Sequence, residues 1–284
     1  GAAVPLCFHH YPGEAMREKP YRLIFNNDGG TLFRPFAPAA SELFTTEGFV
    51  EATLGYLENT QVDAFSWTLG TDVWPMPDIQ GAGRATNFYC HRTDVGERFY
   101  EHRGPFHARS WKVMADRVKG MIERGDDPPR VLAAAAHQRG LDFLLAFRMN
   151  DAHSNMEHRM ADGRRSALKI RRSDLLIGSP PPSTPVYDYS EQFSFTWQWD
   201  YGQEEVRARF LGLFDEVLTR YGVDGLELDF CRAAPFFKPH QGFRQIETMT
   251  RFMRQTRAIA DEQAERLGQE VKVACRVPSS CDAM

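Results

Sequence analysis

Long apolar runs, a cysteine framework and an excess of basic charge are all missing from this sequence. No apolar run approaches the roughly 20 residues that a membrane-spanning helix needs. The 284 residues include five cysteines, which are scattered and form no C-x-x-C pair, so neither a disulfide framework nor a cysteine zinc site is predicted. With a formal net charge of −4, no basic surface argues for a nucleic acid or an anionic membrane as partner.

Signals for cofactors and for export are also lacking. No G-x-G-x-x-G segment or phosphate-binding loop follows a predicted strand, so a nucleotide cofactor is not supported. His153 and His158 are spaced so that they would sit about 140° apart on a helix, and we do not expect them to share a metal ion. The first residues, GAAVPLCFHH, show no charged segment followed by an apolar core. We predict no cofactor; the compartment stays open, and a periplasmic or secreted location would suit a polysaccharide substrate.

The sequence does contain a regular alternation of short apolar segments and amphipathic helices. Helices are predicted over 110–124, around 131–138, over 203–221 and over about 240–267, with Gly222 and Gly268 ending the last two. Strands of nearly continuous apolar character that alternate with helices are typical of a parallel sheet covered by helices. The strand segments are 22–28, 62–69, 142–150, 225–230 and 271–277.

This pattern predicts an α/β fold, with residues 1–284 forming a single (β/α)8 TIM-type barrel domain with long βα loops. Two long segments, 70–109 and 151–202, follow the second and third strands, on the face where barrels build their sites. A doubly wound sheet, the alternative, binds ligands at the same face. Five strands are three short of a barrel. Either the domain is incomplete at its C-terminus within a longer protein, or the early strand count is short, or the fold is not closed.

Polar residues share one face of three predicted strands. Alternation along 142–150 places Arg148 and Asn150 opposite the apolar side chains that helices must cover. The same rule places Glu227 and Asp229 inside on 225–230, and Arg276 inside on the last strand. Glu227 lies one layer deeper and is expected to pair with Arg148 or Arg276, while Asp229 at the strand end is expected to meet a ligand. The alternative is an ion-pair network that only fills the interior.

Three segments carry a resemblance to a known group of proteins. They are YGVDGLELDF with the following Cys231 and Arg232, the helix EEVRARFLGLFDEVLTRYG, and FRMNDAH at the end of the third strand. Together they resemble a bacterial glycosyl-hydrolase-like TIM-barrel family over roughly residues 140–284. This resemblance implies a carbohydrate-active barrel.

The strand-four segment is also similar to the D-x-x-D-x-D-x-E motif of family 18 glycoside hydrolases. Asp224, Glu227 and Asp229 occupy its first three acidic places, and Cys231 stands where that family has its proton-donating Glu. A thiol does not suit that role. Barrel glycosidases of the amylase type are similar in another way, because their strand-four nucleophile would correspond to Asp229.

Glycoside hydrolysis ordinarily uses two carboxyl groups on opposite sides of the scissile bond. Asp229 and Glu227 are neighbours on one strand, about 6.5–7 Å apart along it, so Glu227 is poorly placed to reach the far side of a sugar. The second acid is better sought at another strand end, where Asp28, Asp72 and Asp151 are candidates. The predicted catalytic residues are Asp229, Glu227 and Asp151.

The remaining site residues are polar side chains at strand ends and aromatic side chains in the long loops. Trp and Tyr rings stack on sugar faces, although the aromatic segment FSFTWQWD could equally be a hairpin packed on the barrel rim. His153 could act as an acid, a base or a hydroxyl ligand, or simply lie in a surface loop. The predicted substrate-binding residues are Asn27, Asp28, Trp74, Arg148, Asn150, His153, Trp199, Arg232 and Arg276.

Taken together, these features predict a glycoside hydrolase acting on an oligo- or polysaccharide, with no metal. A non-catalytic carbohydrate-binding barrel is the first alternative. A metal-dependent barrel enzyme is the second, but an arginine beside Asp229 is a poor neighbour for a divalent cation. The sequence does not define the sugar, the linkage, the stereochemical outcome or the oligomeric state.

Overall fold

Five parallel strands form the centre of the molecule. The computed structural model describes residues 21–29, 45–71, 88–89, 92, 94–95, 97–98, 109–150, 167–178, 198–231, 235–238 and 241–278. All five predicted strands are confirmed, and each is shorter than the apolar segment that predicted it. They are β1 (Ile24–Asn27), β2 (Ala64–Thr68), β3 (Asp142–Arg148), β4 (Gly225–Asp229) and β5 (Lys272–Arg276).

The order of these strands in the sheet is the same as their order along the chain. Each strand pairs in parallel with the next, from β1 to β5. A doubly wound sheet reverses direction at a switch point, and the five described strands show no such reversal. The described strands form an open sheet with β1 and β5 at its edges, so they do not by themselves form the closed barrel that the sequence predicted.

Helices lie between the strands as expected, and two of them, α1 (Thr46–Leu54) and the short α4 (Ala167–Arg171), were not predicted. The unpredicted helix α1 begins after Thr45, whose side-chain oxygen accepts the Gly48 N–H at 3.0 Å. Gly222 and Gly268 end their helices in the left-handed region, with φ of 61° and 67°, as predicted. The described helices are α1 (Thr46–Leu54), α2 (Arg109–Arg124), α3 (Pro128–Gln138), α4 (Ala167–Arg171), α5 (Glu204–Tyr221) and α6 (Ile246–Leu267).

Shorter elements complete the described chain. A small second sheet is formed by Gly70–Thr71, Phe88–Tyr89 and Glu97–Arg98. Three single turns of 3-10 helix cover Gly55–Leu57, Ser173–Leu175 and Gly242–Gln245. Within the described ranges, no helix has both the length and the apolar character required to cross a lipid bilayer.

The two faces of the main sheet differ in chemistry, as alternation predicted. On β3, Phe143, Leu145 and Phe147 belong to the buried hydrophobic core under the helices. On β4, Leu226 and Leu228 belong to the same hydrophobic core. The intervening side chains of both strands therefore lie on the opposite face, which carries the charged residues.

Contacts across the polar face show that the sheet is strongly curved. The Asn26 amide of β1 donates to both carboxylate oxygens of Glu227 on β4 at 3.2 Å, although β2 and β3 lie between them. Three strand spacings cover about 14 Å in a flat sheet, more than these two side chains can bridge. The inner faces of β1 and β4 must therefore turn toward each other.

A second cluster draws the sheet edges together near the amino ends of the strands. The Tyr21 hydroxyl donates to Asp142 Oδ2 at 2.6 Å, and Lys272 Nζ donates to the same oxygen at 2.9 Å. Lys272 Nζ also lies 4.8 Å from the centre of the Tyr21 ring, so the chain just before β1 meets the start of β5. In a flat sheet these edges would be about 19 Å apart.

Gly225 marks a close approach between β4 and β5. A methyl group added there would lie 2.8 Å from the carbonyl carbon of Lys272. We predict that Gly225→Ala lowers the free energy of unfolding by about 1–3 kcal/mol, because backbone cannot move aside as a side-chain tip can. Chemical denaturation would measure the change. Gly212→Ala is the matched control: its methyl group meets only ordinary contacts from Val95, and alanine should stabilise α5 by about 0.5–1 kcal/mol.

The Tyr21–Asp142–Lys272 cluster gives a prediction about pH. Burial alone would raise the pKa of Asp142, but hydrogen bonds from Tyr21 and Lys272 outweigh it, and the pKa lies below its ordinary value. A depressed carboxyl pKa contributes stability above the unfolded-state value of about 4, and the contribution is lost as the pH falls. Asp142→Asn should therefore cost about 1 kcal/mol at pH 7 and progressively less as the pH falls below about 5. A difference between the two proteins that does not change with pH would contradict this account.

Candidate functional site

Polar side chains from β1, β3, β4 and β5, and from the residue that follows β1, lie together on the inner face of the curved sheet. In register, Arg148, Asp229 and Arg276 form the row nearest the carboxyl ends of β3, β4 and β5. Glu227 lies one row deeper, beside Ala146 and Ala274. We call the inner-wall cluster the set of Asn26, Asp28, Arg148, Glu227, Asp229 and Arg276.

Arg276 bridges the two acids of β4. One guanidinium nitrogen lies 2.6 Å from Glu227 Oε1 and the other lies 3.1 Å from Asp229 Oδ2. Glu227 is 6% exposed and Asp229 is 3% exposed, so neither charge is hydrated as it would be at the surface. The structure thereby resolves the choice left by the sequence: the partner of Glu227 is Arg276.

Arg148 pairs with a different acid. Its Nη2 lies 2.9 Å from Asp28 Oδ1, which brings the end of β3 to the residue that follows β1. The Arg148 side chain is buried, whereas Asp28 is partly exposed. Three ion pairs therefore cross the inner face, and every residue in them is a predicted site residue.

Asp229 is more enclosed than a freely accessible strand-end residue. Its Oδ1 accepts the backbone N–H of Cys231 at 2.9 Å, and its Oδ2 accepts from Arg276. The sequence expectation of an acid open at the mouth is therefore met only in part, because Asp229 does face inward but is nearly buried. Both of its oxygens accept hydrogen bonds, so the group is arranged as a carboxylate acceptor.

Asn26 lies on the inner face although it was not among the predicted site residues. Its amide contacts Glu227, whereas the predicted Asn27 donates to the Tyr56 hydroxyl at 2.9 Å and accepts the Gly29 N–H at 2.8 Å. Asn27 thus contacts the turn after α1 and its own loop. The sequence could have predicted this difference, because alternation along β1 puts Asn26 and Asn27 on opposite faces of the sheet.

Asn150 and Trp199, which were predicted to bind substrate, are buried and contact other parts of the protein. Strand β3 ends at Arg148, so alternation no longer applies at Asn150, and both of its amide hydrogens go to backbone carbonyls. Trp199 is 1% exposed, with Lys169 Nζ 4.9 Å from its ring centre. It forms an antiparallel bridge with Leu176, and its burial does not fit the predicted role in stacking on a sugar.

Several predicted site residues lie outside the described residues. These are Trp74, Asp151, His153 and Arg232, together with the candidate second acid Asp72. Among the described residues, no three His, Cys, Asp or Glu side chains cluster as a metal ion would require. The described inner-wall cluster brings together three carboxylates and two guanidinium groups, which leaves one formal negative charge.

The fold and this cluster define a parallel α/β protein with a charged site at the carboxyl edge of a curved sheet. No protein-family model and no curated protein sequence matches the chain. Among solved structures, the chain is similar to a family 36 α-galactosidase from Geobacillus stearothermophilus, at 15% identity and a TM-score of 0.40. The match covers 89% of this chain and 27% of that one.

Two further structures show similar values. A maltogenic α-amylase from Thermotoga neapolitana has 12% identity and a TM-score of 0.46, over 90% of this chain and 45% of that one. An α-L-fucosidase from Paenibacillus thiaminolyticus has 11% identity and a TM-score of 0.42, over 88% and 32%. The chain thus spans less than half the length of these enzymes. Likenesses at this level do not assign an activity or a substrate to it.

The bridging role of Arg276 can be tested by stability. We predict that Arg276→Gln lowers the free energy of unfolding by about 2–3 kcal/mol, because two nearly buried carboxylates lose their shared cation. The expected loss is smaller than for a fully buried pair because the Arg276 side chain is 34% exposed to solvent, which screens its charge. Urea denaturation at neutral pH would measure it.

A matched control is available on the surface. Arg254 pairs with Glu247 at 3.2 Å, and both side chains are about two-thirds exposed. Arg254→Gln should therefore cost less than about 0.5 kcal/mol. Equal losses in the two variants would show that Arg276 contributes no more than an ordinary surface charge.

Proposed function

We propose that this chain forms part of the active-site wall of a glycoside hydrolase that acts on an oligo- or polysaccharide. The observation that carries the proposal is Asp229, held on the inner face at the end of β4 by Arg276 and the Cys231 N–H. In α/β proteins with parallel strands, this edge is where ligands bind and where catalytic residues are found.

The curvature of the sheet supports the barrel that this function needs. The Asn26–Glu227 contact and the approach of Lys272 to Tyr21 both require inner faces that converge. Strands in simple chain order on a converging sheet suit five consecutive strands of a (β/α)8 wall. We propose that the fold is of this type.

Asp229 suits the role of nucleophile or charge stabiliser. Each of its oxygens accepts a hydrogen bond, from Arg276 and from the backbone of Cys231, so neither is set up to donate a proton to a leaving group. The net negative charge of the described inner-wall cluster would also favour the positively charged, oxocarbenium-like transition state of glycoside hydrolysis.

The proton donor must then come from another position. Asp28 is a described candidate by position, because it follows β1 and is partly exposed, and it must leave its ion pair with Arg148 to act as an acid. Asp72 and Asp151 remain candidates from the sequence. In this scheme Glu227 holds Arg276 in place from below, since it also binds Asn26.

A carbohydrate-binding protein without catalysis is the second candidate function. The observation in its favour is that every acid of the described inner-wall cluster already has a cationic or N–H partner. A wall whose acids are all paired in this way is stable without a substrate and can present hydrogen-bonding groups to sugar hydroxyls.

Asp229→Asn tests the proposal. The variant keeps the shape of the side chain but removes the negative charge, so we expect kcat to fall by about a thousandfold or more while sugar binding persists. The measurement is release of reducing sugar and of aryl aglycone from panels of oligosaccharides and aryl glycosides, with calorimetry for binding.

The matched control is Asp261→Asn, an exposed acid on α6 that pairs with Arg257. It should leave turnover unchanged. Asp229→Asn should unfold at a lower temperature than the parent chain, because its NH2 group faces Arg276 or the Cys231 N–H, so turnover is compared below the unfolding temperatures of both variants. Undiminished hydrolysis by a folded Asp229→Asn protein would remove Asp229 from the mechanism. Sugar binding without any turnover by the parent chain would favour the non-catalytic function.

A further inference from the structure

Asn150 joins three separate segments at the mouth of the site. Its Nδ2 donates to the carbonyl oxygen of Trp199 at 3.2 Å and to that of Pro235 at 3.0 Å. Its Oδ1 accepts the Trp199 N–H at 2.9 Å. One fully buried amide therefore binds the end of β3 to the segment before α5 and to the segment that follows β4.

Other contacts fasten the same three segments. The Tyr201 hydroxyl donates to the Met149 carbonyl at 2.5 Å, and the Tyr201 N–H donates to the Phe236 carbonyl at 2.9 Å. The ring of Phe236 lies 5.7 Å from that of Tyr201 and 5.2 Å from that of Phe230. Asn150 is thus the polar centre of a tightly packed junction.

The segment fastened at Pro235 is the one that orients Asp229. Asp229 Oδ1 accepts the N–H of Cys231, two residues farther along the same loop. The Asp229 backbone carbonyl accepts the N–H of Met149, next to Asn150. The described parts of this segment are held on both sides: the Phe230 N–H donates to the Arg276 carbonyl at 2.9 Å, and the Pro235 carbonyl accepts from Asn150.

We propose that Asn150 is a positioning residue: its amide fixes the loop after β4 and, through the Cys231 N–H, sets the orientation of the Asp229 carboxylate. Only an uncharged side chain with two donors and one acceptor on a short stem satisfies all three backbone groups. The effect on the loop is independent of the proposed function, and the effect on catalysis rests on it.

Asn150→Asp is the sharpest variant, because it keeps the shape but replaces both donors by acceptors that face two carbonyl oxygens. Amide hydrogen exchange, resolved by residue, is the readout. We expect the exchange rates of the Trp199 and Cys231 N–H groups to rise at least tenfold, while core strand amides such as that of Leu145 keep their rates. Asn59→Asp, at an exposed turn, is the matched control and should change none of them.

The outcomes separate positioning from general destabilisation. A uniform rise over all amides, or faster exchange at Trp199 with no change at Cys231, would overturn the proposal. If Asn150→Asp does not fold, Asn150→Ser gives the same comparison, since it retains one donor and shortens the stem.

Kinetics provide the second arm. If Asp229 acts in catalysis, Asn150→Asp should lower kcat at least tenfold with KM little changed, because the substrate contacts remain while the carboxylate is misaligned. Faster Cys231 exchange in a chain whose parent has no turnover would support the positioning role and reject the proposed function. Faster exchange with kcat unchanged in an active enzyme would reject the link to Asp229.

Discussion

The ion pairs of one arginine, Arg276, with two buried acids, Glu227 and Asp229, are the central interaction of this structure. Glu227 and Asp229 lie two residues apart on a strand whose other residues are apolar, and both are nearly buried. Without a shared cation, their burial would cost several kcal/mol for each charge. Arg276 on the next strand contacts both, so the parallel pairing of β4 with β5 places one cation beside two acids.

This pairing also links chemistry to shape. Glu227 binds Asn26 across two intervening strands, which is possible only in a curved sheet. The Asp28–Arg148 ion pair lies on the same inner face, so the charged side chains of the inner-wall cluster share one side of the sheet. The cluster of Tyr21, Asp142 and Lys272 holds the opposite end of the strands together in the same way. Polar contacts therefore connect distant strands on the inner face of the sheet, while apolar packing against the helices stabilises its outer face.

The loops at the carboxyl edge are connected to this frame by backbone hydrogen bonds. Asn150 and Tyr201 bind carbonyl groups of the segment after β4, and Cys231 returns an N–H to Asp229. A catalytic or binding carboxylate must be held within a fraction of an ångström, and strands alone fix only its Cα position. Arg276 constrains one oxygen of Asp229, and in our proposal the junction around Asn150 constrains the other through the Cys231 N–H.

The sequence by itself determined the five strands, the glycine helix ends and the inward face of Glu227 and Asp229. Each of these depends on local rules: apolar runs, left-handed glycine and a side-chain period of two. Only the tertiary structure decided that Arg276 pairs with both acids and that Asn26 contacts Glu227. It also decided that the Asn150 amide forms hydrogen bonds with backbone groups. These contacts join segments from 47 to 201 residues apart, and their geometry depends on sheet curvature and strand ends, which no local pattern encodes.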